Sequence, residues 1–192
     1  MEFTAKVIAD ARENNKSIVF KNLFSNMPKW DQFISQLEYG SGQPEAYNNN
    51  EIKMKTTGLV HWWHQLTATI DDAHLFFDEA KTNLEIIKNT HFIKDPKAEA
   101  FSAISFTSKE PTTSLHYDRK DVFYWQCIGN VRWETGKHLD DKQSFDLSPG
   151  DVIYIPAWKH HEVFSLTPRA AISFSINPHE DDPHFINGSY DS

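Results

Sequence analysis

The sequence predicts a mainly β (α+β) fold, a jelly roll or small barrel with N-terminal helices packed on one face. Three observations carry this expectation. Short runs rich in Phe, Tyr, Trp, Val and Ile, separated by turn residues, fill positions 100–177. Apolar residues at helical spacing are confined to the first half of the chain. At 192 residues, with 39% hydrophobic and 14% aromatic content, one domain with a single sizeable core is the default. Residues 1–192 therefore read as one unit, with a mixed framework (1–99), a β-core (100–177) and an acidic tail (178–192).

In chain order, residues 3–14 read as a short helix, 17–20 as a strand and 29–37 as a helix. Trp30, Phe33, Ile34 and Leu37 fall at i, i+3, i+4 and i+7, a stripe that reads as core packing. Residues 40–50 gather Gly, Ser, Pro and three Asn and read as a loop. A second amphipathic helix is expected over 71–89, capped by Asp71 or Asp72, with Leu75, Phe76, Leu84 and Ile87 turned toward a sheet. The strand expectations are 100–105, 114–117, 122–127, 131–134, 143–147, 152–155, 161–165 and 170–176.

Charge and cysteine usage narrow the function classes. The formal charge of -8 opposes the phosphate attraction that dominates nucleic-acid binding, so a nucleic-acid partner is disfavoured. One cysteine, Cys127, allows no internal disulfide, and a reducing cytoplasm is the natural compartment. The first residues carry Glu2, Asp10 and Glu13 with no apolar run, and no stretch has bilayer-spanning length; neither a leader peptide nor a membrane anchor is expected.

Three His-x-Asp tripeptides occur: His116-Tyr117-Asp118, His138-Leu139-Asp140 and His179-Glu180-Asp181. The bare tripeptide carries almost no information in a chain with ten His. Context separates the copies. On a strand, residues i and i+2 share a face, so His116 and Asp118 would present an imidazole and a carboxylate together. The second copy lies in a hairpin connection and the third in the acidic tail, both open to water. A site of two His and one carboxylate needs another His, which His160 or His161 can supply after the Pro149-Gly150-Asp151 turn and the strand that Pro156 ends. His61 and His64 would share a helix face, but with no Asp, Glu or Cys nearby they read as core or substrate-groove residues together with Trp62 and Trp63.

The stretch Ser114-Leu115-His116-Tyr117-Asp118, followed by Asp121-Val122-Phe123-Tyr124-Trp125-Gln126, Gly129, Arg132-Trp133, Pro149 to Pro156 and the His pair, resembles the JmjC-type cupin oxygenases. Within that group it is most similar to the protein hydroxylases. The resemblance covers residues 113–176. It implies a double-stranded β-helix (a jelly-roll cupin) that holds Fe(II) through His116, Asp118 and His161, with 2-oxoglutarate as co-substrate and O2 as oxidant. His161 is preferred over His160 because the family's distal His falls five residues after the closing Pro. No catalytic residue beyond the metal ligands is implied. The family's chemistry is oxidative decarboxylation of 2-oxoglutarate to succinate and CO2 coupled to hydroxylation of a protein or peptide side chain.

The far carboxylate of 2-oxoglutarate needs a cation. The family's basic residue falls two positions after the hairpin Gly, where this chain has Val131. Arg132 is one position late and would serve if a bulge near Gly129 turned it inward. Arg169 would serve from the last strand, with Ser173 and Ser175 on its face, since oxygenases outside the JmjC type place an Arg about that far beyond the distal His. Thr113 matches a family position that bonds the same carboxylate, and Tyr124 is a further candidate. Trp158 should line the mouth as a substrate-channel residue. Two other readings stay open: the same chemistry on a small molecule or tRNA base, and a non-catalytic cupin that binds metal or ligand. Oligomeric state is not legible.

Overall fold

The computed structural model describes residues 1–39, 45–47, 54–55, 67–94, 96–106, 111–138 and 141–177. Expectations for most of the 40–50 loop, His61 to His64, the third His-x-Asp copy and the acidic tail lie outside the described residues.

The order of elements is α1 (Ala5–Glu13), β1 (Ile18–Phe20), α2 (Trp30–Tyr39), β2 (Glu45–Tyr47), β3 (Met54–Lys55), β4 (Thr67–Asp71), α3 (Ala73–Phe76), α4 (Asp78–Thr90), β5 (Lys97–Ser105), β6 (Pro111–His116), β7 (Asp121–Ile128), β8 (Val131–Thr135), β9 (Gln143–Leu147), β10 (Val152–Ile155), β11 (His161–Ser165) and β12 (Arg169–Asn177). The strands form two antiparallel sheets, one ordered β1-β10-β7-β12-β5-β4-β2-β3 and the other β6-β11-β8-β9. This is the expected jelly-roll arrangement, with the sheets packed face to face.

Alternation along the strands of the large sheet separates two cores. Val122, Tyr124, Ile153, Ile155 and Ala171 point toward the small sheet and meet Val131, Trp133, Leu147 and Val163 between the sheets. Their neighbours Phe123, Trp125, Tyr154, Ile172 and Phe174 point the other way. There they meet Ile8 and Ala11 of α1, Phe33 and Leu37 of α2, and Ala80, Leu84 and Ile87 of α4. The helices thus cover the outer face of the large sheet, and β7, β10 and β12 are buried on both sides. That double burial explains why the sequence reads as near-continuous apolar runs there.

The sequence expectation for 71–89 is corrected in two ways. Asp71 ends β4, pairing with Phe101, rather than capping a helix. Asp72 occupies the cap position of α3 in left-handed backbone without a side-chain cap bond, and Phe77, extended and buried, breaks the segment into α3 and α4. Only a hydrophobic ring docked against Phe33 at 4.9 Å accounts for the break, since no Gly or Pro intervenes.

One polar cluster ties the helical layer to the β-core. Asp121, fully buried at the start of β7, accepts a bond from the Arg12 guanidinium of α1 and one from the backbone N of Ala157 at 2.8 Å. His91 Nε2, just past α4, lies 3.0 Å from its other oxygen. Burial alone would raise the pKa of this carboxyl. The bond to His91 and the charge of Arg12 outweigh burial and hold it below the ordinary carboxylate value. Because the folded pKa lies below the unfolded one, the stabilisation is complete above the unfolded pKa and is lost as pH falls through the folded value. Urea titrations should therefore show stability declining below about pH 4. Asp121→Asn should remove that part of the decline and cost about 3–5 kcal/mol at neutral pH.

Candidate metal centre

β6 pairs with β11 so that His116 lies directly across from His161. Their rings meet at 4.4 Å between centroids, inclined by 65°. Asp118 lies two residues past the end of β6, outside the strand on which the sequence would place its partner. Its backbone O accepts from Trp158 N at 2.6 Å, and its Oδ2 stands 3.5 Å from His161 Nε2. One ligand atom from each of His116, Asp118 and His161 lies within 4.8 Å of the others. Three donors in one small volume, two imidazoles and a carboxylate, form the set that suits a divalent transition metal with further positions open.

The electrostatics of the set favour a cation. Lys159 O lies 2.9 Å from His161 Nδ1 and can only accept from it, which orients the ring and turns Nε2 toward Asp118. Burial raises the pKa of Asp118. The bond to His161 and the charges of His161, His116 and Lys120 more than offset this, so its pKa lies below the ordinary value and the carboxylate is ionised. His161 is buried, with Trp133 packed at 5.4 Å from its ring.

His160 stands apart from this set. Its ring packs on Tyr117 at 5.1 Å, and its backbone O accepts from Gly136 N at 2.8 Å. Partial burial, then the nearby charge of Lys137 and of His161, hold its pKa below the usual imidazole value. In the second His-x-Asp copy, His138 is exposed and Asp140 is outside the described residues.

Trp158 takes a left-handed conformation (φ 69°), unusual for a bulky residue, in the turn between β10 and the His-bearing β11. Its ring lies 5.5 Å from that of Tyr117, with the Arg119 guanidinium 5.5 Å above it. The aromatic face beside Asp118 is thus assembled around the chain's tightest backbone contact with that ligand.

The remaining sequence candidates divide by strand parity. Arg169, Ala171, Ser173 and Ser175 alternate along β12, all buried, with Ser173 opposite Tyr124 and Ser175 opposite Val122 of β7. Arg169 Nη1 donates to Tyr124 Oη at 2.5 Å and to Ala103 O at 3.4 Å, and Nε donates to Ser165 Oγ at 2.9 Å. Burial pushes the Tyr124 phenol up to about 12 although Arg169 pulls it down. It therefore stays protonated, and having accepted from Arg169 it keeps an O–H to donate. Thr113 lies in β6 opposite Val163; its side chain is outside the described residues.

Arg132 is a correction. β8 runs without a register shift against both β9 and β11, so Arg132 keeps the outward parity between buried Val131 and Trp133. It forms an exposed two-pronged pair with Asp146, Nε to Oδ1 at 2.8 Å and Nη2 to Oδ2 at 3.1 Å. A bulge near Gly129 that would turn Arg132 inward is not found in β8; the register shift in this region lies on the β7–β12 ladder, between Ala170 and Ala171. Gly129 itself (φ 74°) is required by proximity, since a Cβ there would sit 2.2 Å from Pro168 O.

Sequence reasoning missed Trp133 and Thr135 as interior polar residues. The signal was available: both share the parity of Val131, and the β8 burial pattern follows that alternation.

With the fold and the three-residue set in place, the comparisons converge. The resemblance to the JmjC-type cupin oxygenases is borne out, in the double-stranded β-helix fold and in named relatives. A probable ribosomal oxygenase of Haemophilus influenzae is 31% identical over 38% of this chain and 22% of its own length. The ribosomal protein uL16 3-hydroxylase of Escherichia coli is 31% identical over 38% of this chain and 24% of its own. Among solved structures, the Escherichia coli ribosomal oxygenase YcfD in complex with cobalt and 2-oxoglutarate superposes with a TM-score of 0.66, at 16% identity, covering 96% of this chain and 58% of that one. A complex of the same protein with cobalt and succinic acid gives equal values. The matched region spans about a quarter or less of each curated relative. No family pattern matches the chain.

Titration with Co(II), followed by its visible absorption, should show one site per chain. Asp118→Ala and His161→Ala should each weaken it at least about a hundredfold, while His160→Ala should leave it within a few-fold. The reverse order for the two His variants would move the site to His160.

Proposed function

We propose that the chain is an Fe(II)- and 2-oxoglutarate-dependent dioxygenase that hydroxylates a protein or peptide side chain, releasing succinate and CO2. The observation that carries this reading is the convergence of His116, Asp118 and His161 within 4.8 Å at one end of the space between the sheets. Three such ligands bind one side of a six-coordinate ion and leave the other side for a bidentate acid and O2. When bound, the iron and 2-oxoglutarate supply the oxidising chemistry; the protein's part is to hold, orient and shield them.

The residues present fit both groups. Asp118 is held ionised, and the contact of His161 Nδ1 with Lys159 O turns its Nε2 toward the same point. Arg169, a buried guanidinium on the inner face, supplies the cation that Val131 does not, beside a Tyr124 hydroxyl with a proton to donate. Ser173 and Ser175 line the same strand face. The protein substrate is supported by the names of the relatives, ribosomal oxygenase and uL16 3-hydroxylase. Cytoplasmic residence belongs to the same proposal, and the buried Cys127 thiol suits a reducing compartment. No helix among the described residues is long and apolar enough to cross a membrane.

The direct test is succinate formation from 2-oxoglutarate with Fe(II) and O2. Calorimetry with 2-oxoglutarate in the presence of Mn(II) then separates an enzyme from a cupin that only binds metal: silence there overturns the proposal. Arg169→Gln should raise the KM for 2-oxoglutarate about tenfold or more, whereas Arg132→Gln, at an exposed pair, should leave it within about twofold.

A further inference from the structure

The inner face of β8 carries two buried polar atoms with no partner among the described residues. Trp133 is 4% exposed and Thr135 0%, yet neither Trp133 Nε1 nor Thr135 Oγ1 has a hydrogen-bond partner among the described residues. Buried polar atoms in protein interiors are nearly always paired, so two unmet ones on one strand face call for a ligand or another explanation. Their positions are specific. Thr135 pairs directly across from His161. The Trp133 ring stands between the two halves of the site, 5.4 Å from the His161 ring and 4.8 Å from that of Tyr124, whose hydroxyl holds Arg169. Trp133 therefore bridges from His161 to the tyrosine that holds Arg169, and Thr135 lies beside His161 on the same strand face.

Orphan status alone does not mark a ligand site. Trp125 Nε1 is also without a partner, but it faces the helical layer, where its ring is packed by Phe24 at 5.5 Å and Phe174 at 6.5 Å. Trp133 and Thr135 differ in facing the metal set and Arg169 rather than a purely apolar core. A ligand that lay between those two charged ends, with oxygen acceptors along its length, would satisfy both atoms at once.

We propose that Trp133 Nε1–H and Thr135 Oγ1–H are donors to the oxygen atoms of a small dicarboxylate bound between the metal ligands and Arg169. The indole sets the length of acid that fits. This rests on the reading of 2-oxoglutarate as co-substrate and assigns it two binding residues on β8, one position either side of the half-buried Glu134. The bound acid is gripped from both sheets, by Arg169 and Tyr124 of the large one and by Trp133 and Thr135 of the small one.

The test uses the 15N-labelled protein loaded with Zn(II), a diamagnetic stand-in, and 2-oxoglutarate or succinate as probe. The indole N–H resonance of Trp133, assigned through space and by its loss in Trp133→Phe, should move on addition of the acid, while that of Trp125 stays in place. Trp133→Phe should weaken 2-oxoglutarate binding about tenfold and Thr135→Val several-fold, with Zn(II) affinity unchanged. Should Trp133→Phe not fold, the parent's resonance and Thr135→Val still decide the question. A parent that binds 2-oxoglutarate with no movement of the Trp133 signal, or variants that bind as tightly as the parent, overturn the assignment and leave the oxygenase proposal standing. A parent that does not bind the acid overturns both.

Discussion

The antiparallel register between β6 and β11 is the constraint on which the centre depends. Pairing His161 with His116 brings together two residues far apart in sequence, and a slip of one position would turn one imidazole to the opposite face. The register is held on the other side of β11 as well, by a continuous ladder to β8 that starts at the same His161. Asp118 needs no ladder. It follows β6 directly and is held by the backbone of Trp158, so the carboxylate is positioned by a turn while the imidazoles are positioned by a sheet.

The space between the sheets has a polarity that follows from strand parity. His116, Asp118 and His161 stand at one end, and the guanidinium of Arg169, bonded to neutral oxygens of Tyr124, Ser165 and Ala103, stands on the opposing sheet. Between them the lining is apolar or aromatic, with Val122, Val163, Ala171 and Trp133 contributing. An elongated anion with polar ends and a short carbon stem matches that profile better than a compact one. Low local dielectric strengthens both ends once water is excluded.

The strands of the β-core were legible because burial on both faces of β7, β10 and β12 demands uninterrupted large apolar residues, and the turns between them demand Pro149, Gly150 and their like. The clustering of His116, Asp118 and His161 was legible because the motif keeps a fixed order along the chain. β4 was not: Thr67–Asp71 offers too few apolar residues to announce a strand, and its Asp71 imitates a helix cap. The break at Phe77 was hidden because it arises from a tertiary contact with Phe33. Arg132 and Arg169 could not be separated from composition. Their roles turn on whether β8 contains a bulge, and a bulge is a property of the ladder rather than of the residue.

Asp121 meets Arg12, His91 and the turn at Ala157 through one carboxyl group, so the first helix, the end of α4 and the peptide leading to His161 share a single anchor. Such sharing limits how the chain can diverge. A change at position 12 alters the support of a loop more than a hundred residues downstream, and substitutions at 12, 91 and 121 are tolerable chiefly in combination. Related sequences should therefore vary at these three positions together or hold all three fixed, giving a covariation signal that joins the first helix to the turn before His161.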